Sequence, residues 1–192
     1  PDLVISAPDQ TAMTLDQFTT LRDNLQTLFQ TLMDSLNDKE IARGGIRQLK
    51  ARMLAHFNEF TAMLDGYWAA TPFINARPYA PNATDGEETF IAPMRDALSL
   101  WGKLHAAPAP AGITLPLVLS DDTDLEAFSA EIAALQTAYA TEADANQNAV
   151  LTRSHRDQTM ATAKAVMVSY RKVVPARCAQ LPALLNTLPT VT

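Results

Sequence analysis

The chain has 192 residues, of which 47% are hydrophobic and 19% charged, with a net charge of −6 and a sequence pI near 5.0. Such length and composition are typical of one globular domain and argue against a disordered chain. The acidic charge argues against a nucleic-acid partner, because phosphate binding needs a basic surface.

Membrane and cysteine signals are sparse. No apolar run approaches the roughly 18 residues that a membrane span requires, so we expect no membrane span in this chain. Cys178 is the single cysteine. It therefore cannot form an internal disulfide, and we interpret it as a structural thiol. The chain opens at Pro1 rather than at a methionine, which favours a trimmed form of a longer protein.

A stretch of fifty residues occurs twice. Residues 15–64 align without a gap on residues 125–174, with eleven identities in fifty positions. Apolar side chains recur at alternating steps of three and four in both copies, which indicates amphipathic helices. The internal repeat therefore predicts an all-α protein with two equivalent helical parts.

Helix-capping residues and prolines divide the chain further. Thr14 is a plausible N-cap for the first copy, and the acidic run Ser120 to Asp124 is typical of a helix start. Pro93 suits the first turn of a short connecting helix. In chain order we predict one domain over residues 1–192, with a lead-in (1–13), repeat one (14–69), a connector (70–120) that carries a helix near 93–106, repeat two (121–176) and a tail (177–192).

The middle of each copy is polar, and two folds follow from how that is interpreted. If Asn37-Asp38 and residues 146–148 are turns, each copy is a hairpin and the chain forms an antiparallel four-helix bundle. If the copies are continuous, they form two long antiparallel helices of about 50 residues with a packed connector. The heptad phase favours long helices, whereas Gly44-Gly45 costs about 1 kcal/mol per glycine inside a helix. We favour the hairpins.

Catalytic motifs are missing from the sequence. A metal pair in a helical bundle needs inward glutamates and a Glu-x-x-His motif, and the chain has only the reverse, His56-x-x-Glu59. We interpret His56 and Glu59 as a boundary pair rather than metal ligands and expect no cofactor. They remain the candidates if a metal is bound.

The connector concentrates aromatic residues. Trp68, Phe73, Tyr79 and Phe90 lie in or beside a long loop, and loops of that length tend to be functional. They either cap the end of the bundle or form an interaction surface, since interface hot spots favour aromatic side chains.

Three functions are compatible with these features. The sequence favours a non-enzymatic structural or protein-interaction helical module that has a protein partner. The first alternative is an extracytoplasmic ligand-sensing bundle, and the second is a metal-dependent helical-bundle enzyme. The sequence predicts neither the compartment nor the oligomeric state.

Overall fold

A computed structural model describes residues 5–6 and 12–177 of the chain, so Cys178 and most of the predicted lead-in and tail lie outside the described residues. The described chain is helical apart from one short strand pair. Strands β1 (Ile5–Ser6) and β2 (Ala12–Met13) pair antiparallel, with Ile5 opposite Met13. The prediction of an all-α protein is confirmed.

Three α-helices and one short 3₁₀ helix make up the rest. Helix α1 is Leu15–Tyr67, the 3₁₀ helix is Pro72–Ala76, α2 is Glu87–His105 and α3 is Leu125–Arg177. No helix among the described residues contains a segment long and apolar enough to cross a membrane.

The preferred hairpin model is wrong, because both long helices are continuous through the predicted turns. Helix α1 passes through Asn37-Asp38 and α3 passes through residues 146–148. The polar middle of α1 is accommodated in helical form, since Arg43 bonds Glu40 one turn away and Glu142 on α3, both at 3.1 Å. The helix bounds match the alternative of two long helices.

Both long helices begin with a cap at equivalent positions of the repeat. The Thr14 hydroxyl accepts a hydrogen bond from the Gln17 amide at 3.2 Å, and the Gln17 side chain accepts one from the Thr14 amide at 2.8 Å. This reciprocal pair is a capping box. At α3 the Asp124 carboxylate accepts from the Ala127 amide at 2.8 Å. The predicted helix starts are confirmed at both sites.

The connecting helix α2 starts earlier than its predicted bound near residue 93. It begins at Glu87, so Pro93 lies inside it rather than in its first turn. Glu87 and Glu88 occupy the first turn, where acidic side chains interact favourably with the helix dipole. The acidic pair, rather than the proline, marks the start.

The contacts divide the chain into two units. Unit 1 comprises residues 1–37 and 145–192, and unit 2 comprises residues 38–144. Both divisions fall within a few residues of the positions that the sequence suggested as turns. The prediction of a single domain over 1–192 stays a prediction.

Unit 2 contains the hydrophobic core. The α1 and α3 segments of this unit run antiparallel, because Arg43 pairs with Glu142 while the later Arg52 pairs with the earlier Glu131. Helix α2 buries one apolar face in this core: Phe90, Ile91, Met94, Ala97, Leu100, Trp101 and Leu104. Trp101 stacks on Phe60 with ring centroids 5.1 Å apart.

Unit 1 buries much less. Its buried hydrophobic residues within the described part of the chain are Leu32, Ala149, Val166 and Val174. The Arg156 guanidinium lies 5.3 Å from the Phe29 ring, a cation–π contact between α3 and α1. The two helix segments of unit 1 therefore share only a narrow apolar seam.

Candidate functional site

The most concentrated polar site in unit 2 surrounds His56. This histidine lies on α1 with a relative exposure of 5%. Its Nδ1 lies 2.8 Å from Glu131 Oε2 on α3, and its Nε2 lies 2.8 Å from Asp121 Oδ2 in the loop before α3. Arg52 contacts the other oxygen of Glu131 at 2.5 Å. The site thus ties α1, α3 and their connection together.

The hydrogen-bond arrangement constrains the protons at this site. A neutral imidazole has one N–H donor, whereas an imidazolium has two. With an ionised carboxylate at each ring nitrogen, both nitrogens donate only in the imidazolium form. The buried carboxylate of Glu131 then has both His56 and Arg52 as partners, which satisfies the requirement that a buried charge be paired, whereas the carboxylate of Asp121 is half exposed.

Asp121 also holds the loop in shape. Its Oδ1 accepts a hydrogen bond from the Thr123 amide at 3.2 Å. Hydrogen bonding from Thr123 and then from His56 lowers the pKa of the Asp121 carboxyl below its usual value of 3.8. Asp121 therefore stays ionised to a lower pH than an unpaired aspartate, and its negative charge is part of the folded loop.

Glu59 binds the residue next to Asp121. Its two carboxylate oxygens accept from the Ser120 amide at 2.7 Å and from the Ser120 hydroxyl at 3.1 Å. His56 and Glu59, three residues apart on α1, thus bind adjacent residues of one loop. Their carboxylate and imidazole groups are used to fasten that loop to the helix.

His56 and Glu59, the candidate metal ligands from the sequence, bind other groups of the protein. Both ring nitrogens of His56 and both oxygens of Glu59 have protein partners. Within residues 5–6 and 12–177, no group of three or more His, Cys, Asp or Glu side chains is arranged to hold a metal ion. In this geometry His56 and Glu59 anchor the loop before α3.

Lys50 forms a second buried polar site. It has a relative exposure of 5% and lies on the apolar row of α1. Its ammonium donates hydrogen bonds to the carbonyl oxygens of Ala83 and Asp85. It also lies 4.8 Å from the Phe90 ring centroid and 5.6 Å from that of Tyr139. Two carbonyls and two ring faces thus hold the cation, and Lys50 fixes the loop before α2.

His105 closes the far end of α2. Its Nε2 accepts a hydrogen bond from the Leu117 amide at 2.9 Å, so that nitrogen carries a lone pair and the proton is on Nδ1. The Trp101 indole N–H lies 3.1 Å from the same nitrogen and 3.3 Å from the Leu117 oxygen. His105 thereby fastens the second long loop to α2.

The four predicted interaction residues do not form one surface. Trp68 and Phe90 are buried in the core of unit 2, and Phe73 is half-buried against it. Tyr79 is 82% exposed and lines an open groove of about 370 Å³ with Arg77, Asp96 and Lys103 among its other residues. Of the four, Tyr79 alone has the exposure that a contact residue needs.

Unit 1 presents the largest group of exposed apolar side chains. On α1 these are Leu15, Phe29 and Met33, and on α3 they are Val150, Leu151, Met160 and Val168. An open groove of about 540 Å³ runs along α1 beside Phe29 and Met33, lined also by Asp23, Gln26, Thr27 and Gln30. None of these seven side chains is among the interaction residues that the sequence predicted.

Some of these residues had a readable signal. Lys50 lies between Ile46 and Met53 in the apolar second half of the α1 row, which marks it as a buried or functional charge. Glu131 and Asp121 had none, because they approach His56 across 75 and 65 positions of sequence. Leu15, Phe29 and Met160 lie on the apolar rows that recur at steps of three and four, and those rows do not show which of their positions another helix covers.

Comparison of this chain with protein-family models, with curated protein sequences and with solved structures found no significant match.

Proposed function

We propose that this chain is a non-enzymatic helical interaction module. In this proposal unit 2 is the folded core of the protein, and the helix segments of unit 1 make the contacts with a partner protein. The observation that carries it is the set of seven large apolar side chains that unit 1 exposes on α1 and α3.

The polar groups of unit 2 support a structural role for that unit. Four polar side chains of unit 2 each bind a loop that connects two helices: His56, Glu59, Lys50 and His105. A catalytic acid, base or nucleophile needs a free face toward a substrate. These side chains instead direct their polar atoms to backbone or carboxylate groups of the same chain.

The apolar side chains of unit 1 support the contact role. In unit 2 a third helix, α2, covers the α1 and α3 segments and buries a full apolar face. Among the described residues no third helix covers unit 1 in this way. Phe29 and Met33 are 40% and 54% exposed, and apolar surface of this kind marks protein contacts when it is contiguous.

The geometry of two helices favours a helical occupant. A pair of antiparallel helix segments leaves a long groove on each side, and helices pack into such grooves through apolar side chains spaced three and four residues apart. A partner helix of that kind would complete for unit 1 the covering that α2 gives to unit 2.

Site-specific photo-cross-linking tests this proposal. A benzoylphenylalanine placed at Met33 in the full chain, expressed in its own host, is expected to give a protein adduct of defined mass. The matched control carries the same group at Arg95, which is exposed on α2 in unit 2, and should give none. Val150→Asp should abolish the Met33 adduct, because it puts a charge in place of an exposed apolar side chain of α3 that lies at nearly the level of Met33.

The outcomes separate cleanly. An adduct at Met33 that disappears with Val150→Asp supports contact through unit 1, whether the captured protein is this chain or another. Equal adducts at both positions, or none at either, would overturn the proposal.

A further inference from the structure

We infer that the partner is a second copy of this chain, with unit 1 of each copy packing on unit 1 of the other. This inference rests on the proposed function and names its partner. In the complex the α1 segment of one copy lies antiparallel along the α3 segment of the other, which forms four helix segments around a common apolar centre.

The register inside one copy gives the levels of the residues. Phe29 on α1 contacts Arg156 on α3, and the two segments carry residue numbers in opposite directions. Each step up α1 is therefore one step down α3. Residue 16 is level with residue 169, residue 23 with 162 and residue 34 with 151.

Charge complementarity follows this register. The α1 segment 15–37 has three acidic residues and one arginine, whereas residues 145–172 of α3 have five basic residues and one acid. Each acid of α1 is within two residues of the level of a base on α3, about 3 Å along the axis. The pairs are Asp16 with Arg171, Asp23 with Lys164, and Asp34 with Arg153.

None of these three pairs forms an ion pair within the described part of one chain. Asp23 pairs with its neighbour Arg22 at 2.7 Å, and Asp34 accepts a hydrogen bond from Gln30 at 2.9 Å. The acids are exposed, as are Arg153 and Lys164, while Arg171 is half-buried. Opposite charges thus lie at matching levels on two helices without being joined to each other, and the opposite helix of another copy can pair with them.

The exposed apolar side chains obey the same register. Leu15 is level with residue 170, two positions from Val168. Met33 is level with residue 152, two positions from Val150. Phe29 is level with residue 156, one turn from Met160. Apolar side chains therefore occur in layers, and the charged pairs lie at nearby levels.

A two-fold axis parallel to the helices uses all of these features. Such an axis leaves every residue at its own level and places α3 of one copy beside α1 of the other, so acid meets base twice. An axis perpendicular to the helices would place α1 against α1 and acid against acid. The charges therefore favour the two-fold axis parallel to the helices. Charge pairs of this kind determine which surfaces associate more than how tightly they associate.

A charge-swap experiment on the full chain tests this inference. Sedimentation of the wild type should show a concentration-dependent shift from 20.9 kDa toward twice that mass. One triple variant carries Asp16→Lys, Asp23→Lys and Asp34→Lys, and the other carries Arg153→Glu, Lys164→Glu and Arg171→Glu. Each alone places like charges across the interface and should weaken self-association at least about tenfold. An equimolar mixture of the two should restore association.

The controls distinguish this inference from the proposed function. Circular dichroism shows whether each variant is folded. If either is not, chains that carry benzoylphenylalanine at Met33 and no other change are mixed in light and ¹⁵N-labelled forms and cross-linked, and they should give mixed-isotope peptides from residues 145–177. A wild type that stays at 20.9 kDa overturns the second-copy inference. A Met33 adduct with a different protein does so too, while leaving the proposed function intact. If the mixture of the two folded variants does not restore self-association, the α1-to-α3 arrangement is excluded.

Discussion

At the scale of single residues, polar and charged side chains of unit 2 hold its loops against its helices. His56 joins two carboxylates from different segments, and Lys50 joins two carbonyls and two rings. Removing one partner of such a buried set leaves the others unpaired, which costs more than the net value of the interaction. These residues therefore report on the fold more sharply than an exposed charge would.

Replacing His56 with glutamine should lower the free energy of unfolding by about 2 kcal/mol, the cost of lost hydrogen bonds to charged groups. The measurement is urea unfolding followed by circular dichroism. Asn58→Ala is the control, because Asn58 is exposed on the same helix, and it should change stability by less than about 0.5 kcal/mol. Equal effects of the two substitutions would show that the His56 cluster contributes nothing specific.

Asp121 gives a prediction for the pH dependence of stability. Its pKa is lowered on folding by Thr123 and His56, so its ionised form stabilises the folded state. That contribution is fully present above the usual value of 3.8 and is lost as the pH falls through the lower folded pKa. The stability difference between wild type and Asp121→Asn, measured by urea unfolding, should thus be constant near neutral pH and shrink in acid. A difference that grew with acidification would contradict this linkage.

At the scale of elements, α1 is continuous through its polar middle. The sequence suggested a turn at Asn37-Asp38 because polar residues and two glycines follow each other there. Local signals cannot show that Arg43 meets Glu142 across 99 positions, and the unbroken heptad phase was the sequence signal for a continuous helix. The helix starts, which depend on local caps at Thr14 and Asp124, were predicted correctly.

Two glycine substitutions test the helix and a loop with opposite signs. Gly45 lies inside α1, and an added Cβ would meet no atom within 4 Å. Gly45→Ala should therefore stabilise the protein by about 1 kcal/mol. Gly112 has φ of +87° in the loop after α2, a conformation that alanine adopts at a cost of about 1 kcal/mol or more. Chemical unfolding of both variants checks the signs, and destabilisation by Gly45→Ala would argue against a continuous helix there.

The residues of the proposed contact surface could not be predicted from the sequence. Aromatic residues in a long connection suggested contacts at Trp68, Phe73, Tyr79 and Phe90. Trp68 and Phe90 are instead buried, because α2 and the end of α1 need large side chains to fill the core between them. The apolar stripe was visible in sequence, but coverage by α2 is a tertiary property. A periodic apolar stripe does not show that its side chains are buried in unit 2 while Met33 in unit 1 is exposed.

At the scale of the whole molecule, apolar burial is unevenly distributed. The hydrophobic core cluster consists entirely of residues of unit 2, between Ile46 and Leu135. Elements with few buried apolar contacts open locally at low free energy. Unit 1 alone should therefore be less protected from opening, and a protein that binds only its closed form stabilises it by mass action.

Hydrogen exchange at several protein concentrations tests the central claim most directly. We predict that amides in residues 15–37 and 145–177 become more protected as the concentration of the full chain rises, while amides in residues 38–144 stay the same. Met33→Glu should remove the concentration dependence without changing protection in unit 2. Protection in unit 1 that is independent of concentration, or that rises equally in both units, would contradict self-association through the unit 1 helices.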